Sequence, residues 1–320
     1  MKWNNRLTDI LNIKYPIIQG GLAYLAYAEL AAAVSNSGGL GQITAMSIND
    51  ESLLKKEIRK VKNMTNKAFG VNFAIGQRGR KFNHLLEIAI EEKVPVISIT
   101  GGNPKSVLEA IGSNPIKKLV LTATKYQAEK AEELGADAVI VVGQEGGGHI
   151  ENHDIGTNVL TPLVVDSVSV PVISSGGIVD GKGMMSTLAL GAEGIEMGTR
   201  FIATQECVHA HSKYKQALIN ADEFSTTVIK RSLGTPARAI KNSWTDTILQ
   251  KEREKGDYNH LKNYISGEAN KKYIHFGKEN EGFGWAGQGA SRIASIPTVD
   301  QLIKSIIKEA EFIRKKWSIK

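Results

Sequence analysis

Cysteine is almost missing: Cys207 is the single one in 320 residues. A lone thiol forms no internal disulfide and has no CxxC partner for a structural zinc. That excludes a disulfide scaffold and fits a reducing cytosol. Long apolar runs are missing too; none reaches the about 20 residues that a bilayer-spanning helix needs. The segment "MKWNNRLTDI" has neither the apolar region nor the cleavage site of a secretory signal. The expectation is a cytoplasmic protein without a membrane partner. Acidic residues are the minority, 33 against 40 Lys and Arg, for a net charge of +7. No RNP, zinc-finger or helix-turn-helix pattern accompanies the bases, which interleave with acids in "ESLLKKEIRKVK" and "IIKEAEFIRKKW". They read as solvated helix faces, with no nucleic-acid partner. A basic rim would also help attract a phosphorylated cofactor.

What the chain does have is a rhythm of short apolar runs. Candidate strands are "PIIQG" (16–20), "GLGQI" (39–43), "FGVNF" (69–73), "VPVISIT" (94–100), "KLVLTAT" (118–124), "AVIVV" (138–142), "PVISSG" (171–176) and "GIEMG" (194–198). They lack polar/apolar alternation, as strands covered on both faces do. Helical stretches lie between them. "SINDESLLKKEIRKVKN" offers Asn49 or Asp50 as its cap, while "KYQAEKAEELGA" and "DGKGMMSTLALGA" close on Gly135 and Gly191. Eight such alternations predict a parallel sheet with right-handed crossovers, and eight is the number that closes a barrel. The expected fold is therefore α/β, a (β/α)8 TIM barrel over 1–204. From about 205 to 280 no convincing strand appears, so 205–285 reads as a mainly helical insert or lid. Residues 286–320 return to the barrel in an amphipathic helix, with Val299, Leu302, Ile303, Ile306, Ile307, Ala310, Ile313 and Trp317 near helical spacing.

The strand ends carry the chemistry. In such a barrel the loops at the strand C-termini build the active site. Here they hold Gln19-Gly20-Gly21, Asn72, Thr100-Gly101-Gly102, Thr122, Gly146-Gly147-Gly148-His149, Ser175-Gly176-Gly177 and Gly198-Thr199. Singly these are turn glycines; gathered on one rim they let backbone approach a flat polar ligand. Two loops have phosphate-binding character. "SSGGIVDGKG" leads into a helix whose first amides would face an anion, and "MGTRF" offers an amide and a hydroxyl. Neither is a Walker A loop or a GxGxxG turn after the first strand, so P-loop and Rossmann readings fail.

"YPIIQGG", "AAAVSNSGGLG", "FGVN", "LGADAVIVVGQEGGGHI", "PVISSGGIVDGKG", "LGAEGIEMGTRF" and the distal "WAGQ" together resemble the FMN-dependent nitronate monooxygenase (2-nitropropane dioxygenase) family. Its relatives include flavin-type enoyl-[acyl-carrier-protein] reductases and NADH:quinone reductases. The likeness runs along nearly the whole chain in matching order. It implies FMN on the barrel's C-terminal face, with Gly20 and Gly21 beside the isoalloxazine ring and polar contacts from Asn72 and Thr122. It places the phosphate on Ser175, Gly176, Gly177, Gly198 and Thr199, and brings Gln288 of "WAGQG" to the flavin.

His149 would then stand at the end of the sixth strand, pointing into the mouth. Gly147 and Gly148 before it let the backbone approach the cofactor. In the resembling monooxygenases such a histidine is the general base or polarises the substrate, roles that a pKa near neutrality suits. Gln144 and Glu145 would orient the loop. "HIENHD", with His153 and Asp154, lacks the HExxH order, and "HAH" (209–211) beside Cys207 reads as surface; no metal is expected. The resemblance implies oxidation of alkyl nitronates with O2 through the flavin. The alternative is a reductase using NAD(P)H as co-substrate on a quinone or, less readily, an enoyl thioester. Gln77 and the segment after residue 200 resemble the quinone-reductase branch, whereas Glu151 after "GGHI" departs from the enoyl reductases. A non-catalytic FMN-binding barrel is the remote alternative, disfavoured by an inward histidine in a glycine-lined mouth. The expected partner is a small-molecule substrate, and a homodimer is the assembly left open. The aromatic residues of the insert (Tyr214, Phe224, Trp244, Tyr258, Tyr264, Tyr273, Phe276) would serve a lid or an interface.

Overall fold

In the computed structural model, which describes residues 3–76 and 81–318, the eight expected strands all form, each within two residues of its expected ends. They are β1 (Ile17–Gln19), β2 (Gly41–Thr44), β3 (Phe69–Ala74), β4 (Val96–Thr100), β5 (Lys117–Thr122), β6 (Ala138–Val142), β8 (Val172–Ser175) and β9 (Gly194–Met197). Three shorter strands join them: β7 (Gly148–His149), β10 (Thr226–Ile229) and β11 (Ala237–Ile240). The eight are parallel, in the order β1-β9-β8-β6-β5-β4-β3-β2. The ring closes between β1 and β2, where Gln19 N donates to Leu40 O and Leu40 N to Ile17 O. The Gln19 side chain extends that seam: its Oε1 accepts from Gln42 N, and Gln42 Nε2 donates to Gln19 O, both at 2.9 Å. The expected (β/α)8 barrel is what forms.

Strand alternation sorts the barrel's residues into two sets. Ile43, Val71, Phe73, Ile97, Ile99, Val120, Val139 and Val141 pack outward against the helices. Ile18, Leu40, Val96, Leu119, Ala138, Ile140 and Ile173 point inward and fill the lower lumen, and Leu7 and Leu11 of the helix Arg6–Leu11 plug it from below. Burying a side chain of this size is worth roughly 1.5–3 kcal/mol, so the lower lumen is a stability element. One step higher, the inward residues turn polar: Gln42, Asn72, Ser98, Ser175 and Glu196, all buried.

Caps fall where the sequence places them. Asp50 accepts from Leu53 N at the start of Glu51–Met64, and Gly135 and Gly191 take positive φ after their helices. The strand β9 is followed only by the four-residue helix Thr199–Ile202, and the long helix Val299–Ser318 packs on Gly181–Ala189 and Ala28–Asn36 in the vacant outer position. Its stripe from Val299 to Ala310 is buried as expected. Trp317 differs: it is 54% exposed and borders a surface cavity of about 360 Å³ with Trp3, Pro16, Leu188 and Arg314, at the barrel's N-terminal end.

The insert is mainly helical as expected, but it also holds two strands where none was expected. β10 and β11 pair antiparallel, and β11 pairs on its other edge with β7, which carries His149. Short, half-buried strands such as "TTVI" leave little periodic signal, and the pairing with β7 spans about 90 residues of chain. Tyr214 and Tyr273 are buried in the main core, and Trp244 stacks with Tyr264. Phe224, Tyr258 and Phe276 are exposed.

Candidate active site

The upper lumen opens into loops that meet one another. Backbone approach decides the first of them: a Cβ on Gly21 would collide with the Asn72 amide, and one on Gly20 with the Glu196 carboxyl. Only glycine lets the β1 loop lie flat on those two side chains. Asn72 Nδ2 donates to Ser98 Oγ and to Thr100 Oγ1, both at 2.9 Å, which fixes the amide and turns its oxygen toward the Gly21 turn. Glu196 stands beside Ser175 in the β8–β9 register. Its Oε2 and the Oε1 of Gln42 are buried and have no hydrogen-bond partner among the described residues. With no compensating charge nearby, burial pushes the Glu196 carboxyl up to about 7.

Gly176 and Gly177 follow β8 with φ of 104° and 72°, a left-handed bend that an L side chain disfavours. The loop is held from one side by Thr157, whose hydroxyl reaches Gly176 O at 3.1 Å and the Glu145 carboxylate at 2.8 Å. Glu145 also accepts from Thr157 N and so caps the helix Thr157–Val165. From the other side Gly289 packs on Gly177 O. The expectation of free amides at the next helix needs correction. Asp180 accepts from Gly183 N and Glu309 from Gly181 N, so two amides at the start of Gly181–Ala189 already have acceptors. The amides of Gly177 and Ile178, next to the β8 end, are among those that meet no protein acceptor among the described residues, and they are donors available to an anion.

Residues 285–288 tie the remaining loops together. Gly287 N donates to Thr199 Oγ1 and Gln288 N to Glu145 O, both at 2.9 Å. Gly147 lies against Ala286 and Gly287, and Gly198 against Leu22. Gly20, Gly21, Asn72, Gly147, Gly148, Ser175, Gly176, Gly177, Gly198, Thr199 and Gln288 therefore share one mouth. Thr122 does not join them. It shares the helix-facing side of β5 with Val120, and its hydroxyl donates to Ile140 O. Gln77 lies outside the described residues.

His149 sits at this mouth, but on β7 instead of the end of β6. Its ring is 5.6 Å from the Trp285 ring, and its Nε2 is 2.6 Å from Lys230 Nζ. The ring keeps an open surface toward solvent while protein crowds its other sides. That desolvation and, second, the Lys230 charge push its pKa down to about 4, not near neutrality as expected. Desolvation likewise lowers Lys230 to about 8, against an opposing pull from Glu252. Lys230, Glu196, Gln42 and Trp285 are the site residues that sequence reasoning missed.

The other apparent clusters resolve structurally. Cys207 is buried with its thiol pushed up to about 12, and the His209 ring packs against Tyr27 at a 50° tilt. Asp154 pairs with Arg231 at 2.9 Å. Among the described residues no three His, Cys, Asp or Glu side chains gather as a metal set, and no helix is long and apolar enough to cross a membrane.

The sequence model of the family described as "Nitronate monooxygenase" matches residues 4–309. A probable nitronate monooxygenase of Staphylococcus aureus (strain JH9) is 34% identical, over 96% of this chain and 98% of the relative. One of Staphylococcus haemolyticus (strain JCSC1435) is 32% identical over 97% and 98%. Among solved structures, FabK from Thermotoga maritima superposes with a TM-score of 0.92 at 36% identity, covering 98% of both chains. Nitroalkane oxidase from Streptomyces ansochromogenes gives 0.81 at 26% identity, covering 98% of this chain and all of the other. On that family match, and on relatives alike along nearly the entire length, the chain belongs to the nitronate monooxygenase family and is an enzyme, a flavin oxidoreductase.

Proposed function

We propose that the protein binds FMN in the upper lumen and oxidises alkyl nitronates with O2. The observation that carries the reading is a polar floor beneath a hydrogen-bonded pair of one cation and one neutral ring: orphaned Glu196 and Gln42 below, Lys230 and His149 above. A flat ring with hydrogen-bonding edges suits the floor, because Gln42 Oε1 and Glu196 Oε2 are buried without a protein partner among the described residues. The Gly20–Gly21 turn supplies a surface without side chains, and the Gly177 and Ile178 amides, with the Ser175 and Thr199 hydroxyls, suit a phosphate. Held by these residues, FMN would supply the electron acceptor for the oxidation.

The chain's own residues do the rest. With its pKa raised to about 7, the Glu196 carboxyl holds its proton in about half of the molecules at neutral pH, and in that form it donates a hydrogen bond instead of repelling electron density. His149, held neutral, faces the substrate side, and the Lys230 ammonium offers the positive charge that a nitronate anion requires. Trp285 walls the mouth beside the imidazole.

A second reading is an NAD(P)H-dependent reductase of a quinone or an enoyl thioester. It is favoured by the resemblance of the 205–285 segment to the quinone-reductase branch, and the overlay on FabK is tighter than that on nitroalkane oxidase. The enzyme is placed in the cytoplasm, which its single, buried thiol suits. Anaerobic mixing with ethylnitronate, NADH or NADPH while following flavin absorbance tests the choice. Bleaching by ethylnitronate alone is expected. Bleaching by a nicotinamide alone would transfer the assignment to the reductase, and no bleaching by any of the three would defeat both.

A further inference from the structure

We infer that Lys230, held by the His149 imidazole, is the residue that meets the negatively charged oxygen of the substrate. This rests on the reading proposed above and names the feature its substrate must have: an oxyanion, present from the start or formed on reduction.

The geometry begins in the small sheet. Its register aligns Ile229 of β10, Ala237 of β11 and His149 of β7 in one row. Lys230, the next residue after Ile229, takes the left-handed conformation at φ 67°, which a lysine disfavours. The Glu252 carboxylate holds that bend by accepting from Lys230 N at 2.9 Å, and it grips Ser232 N and Oγ as well. The chain so bent returns the lysine side chain across the sheet to the histidine. Strain maintained by a carboxylate in order to aim one side chain at the mouth is a sign of function.

Lysine has only donors, so Nζ donates and His149 Nε2 accepts, which leaves the ring proton on Nδ1. The neighbouring cations are otherwise engaged. Arg231 pairs with Asp154; Arg238 donates from Nε to Gln144 O and from Nη1 to Thr226 Oγ1. Glu252, the acid on the helix behind, is bonded to the Lys230 and Ser232 amides and the Ser232 hydroxyl; its charge raises the lysine pKa without forming an ion pair. No ion pair reaches the Lys230 ammonium among the described residues, and two of its three N–H bonds remain for a ligand. Of the pair, the histidine stays neutral at pH 7 and the lysine titrates near 8, so Lys230 carries the proton. A nitronate brings its charge with it, and the ammonium acts as counter-ion without transfer. A quinone or enoyl thioester gains the charge on oxygen during reduction. There one Nζ–H bond breaks, its electron pair stays on nitrogen, an O–H bond forms, and water restores the proton.

The test uses the flavin-loaded full chain with Lys230→Met and Lys230→Arg. By NMR, removing the ammonium should raise the His149 pKa by at least about half a unit, while Lys230→Arg leaves it low. In kcat/KM against pH, the limb near 8 should vanish in Lys230→Met with a loss of roughly 10²-fold, and move to higher pH in Lys230→Arg. With ethylnitronate the loss should appear in KM; with a quinone or enoyl thioester it should appear in kcat. A Lys230→Met protein that keeps its flavin, its His149 pKa and its pH profile overturns the inference. If Lys230→Met does not fold, an unmoved pH limb in Lys230→Arg does the same. Failure of the proposed function would show earlier and separately, as an unreactive flavin in the unmodified enzyme.

Discussion

The same eight strands build two ends of one lumen, and the ends have opposite chemistry. Below, Ile18, Leu40, Val96, Leu119, Ala138, Ile140 and Ile173 close on Leu7 and Leu11 without a polar atom among their side chains. Above, inward positions on those strands or their neighbours carry Gln42, Asn72, Ser98, Ser175 and Glu196, and two of their polar atoms are left unpaired among the described residues. The lower layer contributes stability by keeping water out. The upper one gives some of it up, since an unpaired buried polar group costs about 1–3 kcal/mol. A fold carries such a cost where a ligand later removes it.

The comparison breaks most visibly at the rim. His149→Ala should keep bound flavin and folding temperature but lower turnover roughly 10²–10⁴-fold, read by steady-state kinetics beside the flavin spectrum. Unchanged kinetics would take the imidazole out of the mechanism. At the other end, Leu119→Ala should cost roughly 2–5 kcal/mol in denaturant unfolding and leave kcat near the unmodified value. A kcat that fell together with stability would mean that the two ends are coupled and the division is false.

Glu196→Gln probes the boundary between the layers through pH. The folded pKa of about 7 lies above the ordinary 4.5. Below about 4.5 the carboxyl is neutral in both states and costs nothing. As pH rises toward 7 the unfolded chain loses its proton while the fold retains it, so stability falls and then levels above 7. The whole drop corresponds to about 3 kcal/mol. Flavin-free Glu196→Gln should lack that drop when unfolding is measured from pH 4 to 9. A variant that parallels the unmodified protein would show a solvated carboxyl.

How much of this was legible follows from pleat and distance. Strands buried on both faces write themselves as apolar runs, so the barrel could be read, and with it the glycines at its rim. The same lack of alternation hides which side each residue faces. "KLVLTAT" does not reveal that Leu121 points inward and Thr122 outward, and "GIEMG" does not aim Glu196 into the lumen. Asp180 as a helix cap was readable from "VDGKG", where it stands three residues before Gly183, whose amide it takes. Lys230 was not. A lysine in "VIKRSLGT" looks solvated, and its approach to His149 exists only through a three-stranded sheet that joins residues 148, 238 and 228.

The smallest expected effect sharpens the inside-outside division. Thr122→Val exchanges one hydroxyl, bonded to Ile140 O at 3.3 Å, for a methyl on the helix-facing side. A weak buried hydrogen bond is lost and apolar burial is gained, so stability should shift by no more than about 1 kcal/mol. Flavin content per chain should not change, because nothing on that face reaches the mouth. Asn72→Ala is the matched control from the lumen side. It strips the amide from Ser98, Thr100 and the Gly21 turn, and flavin should dissociate more readily. Titration of both variants with free flavin separates the two faces; equal loss of affinity would mean that β5 twists Thr122 into the lumen after all.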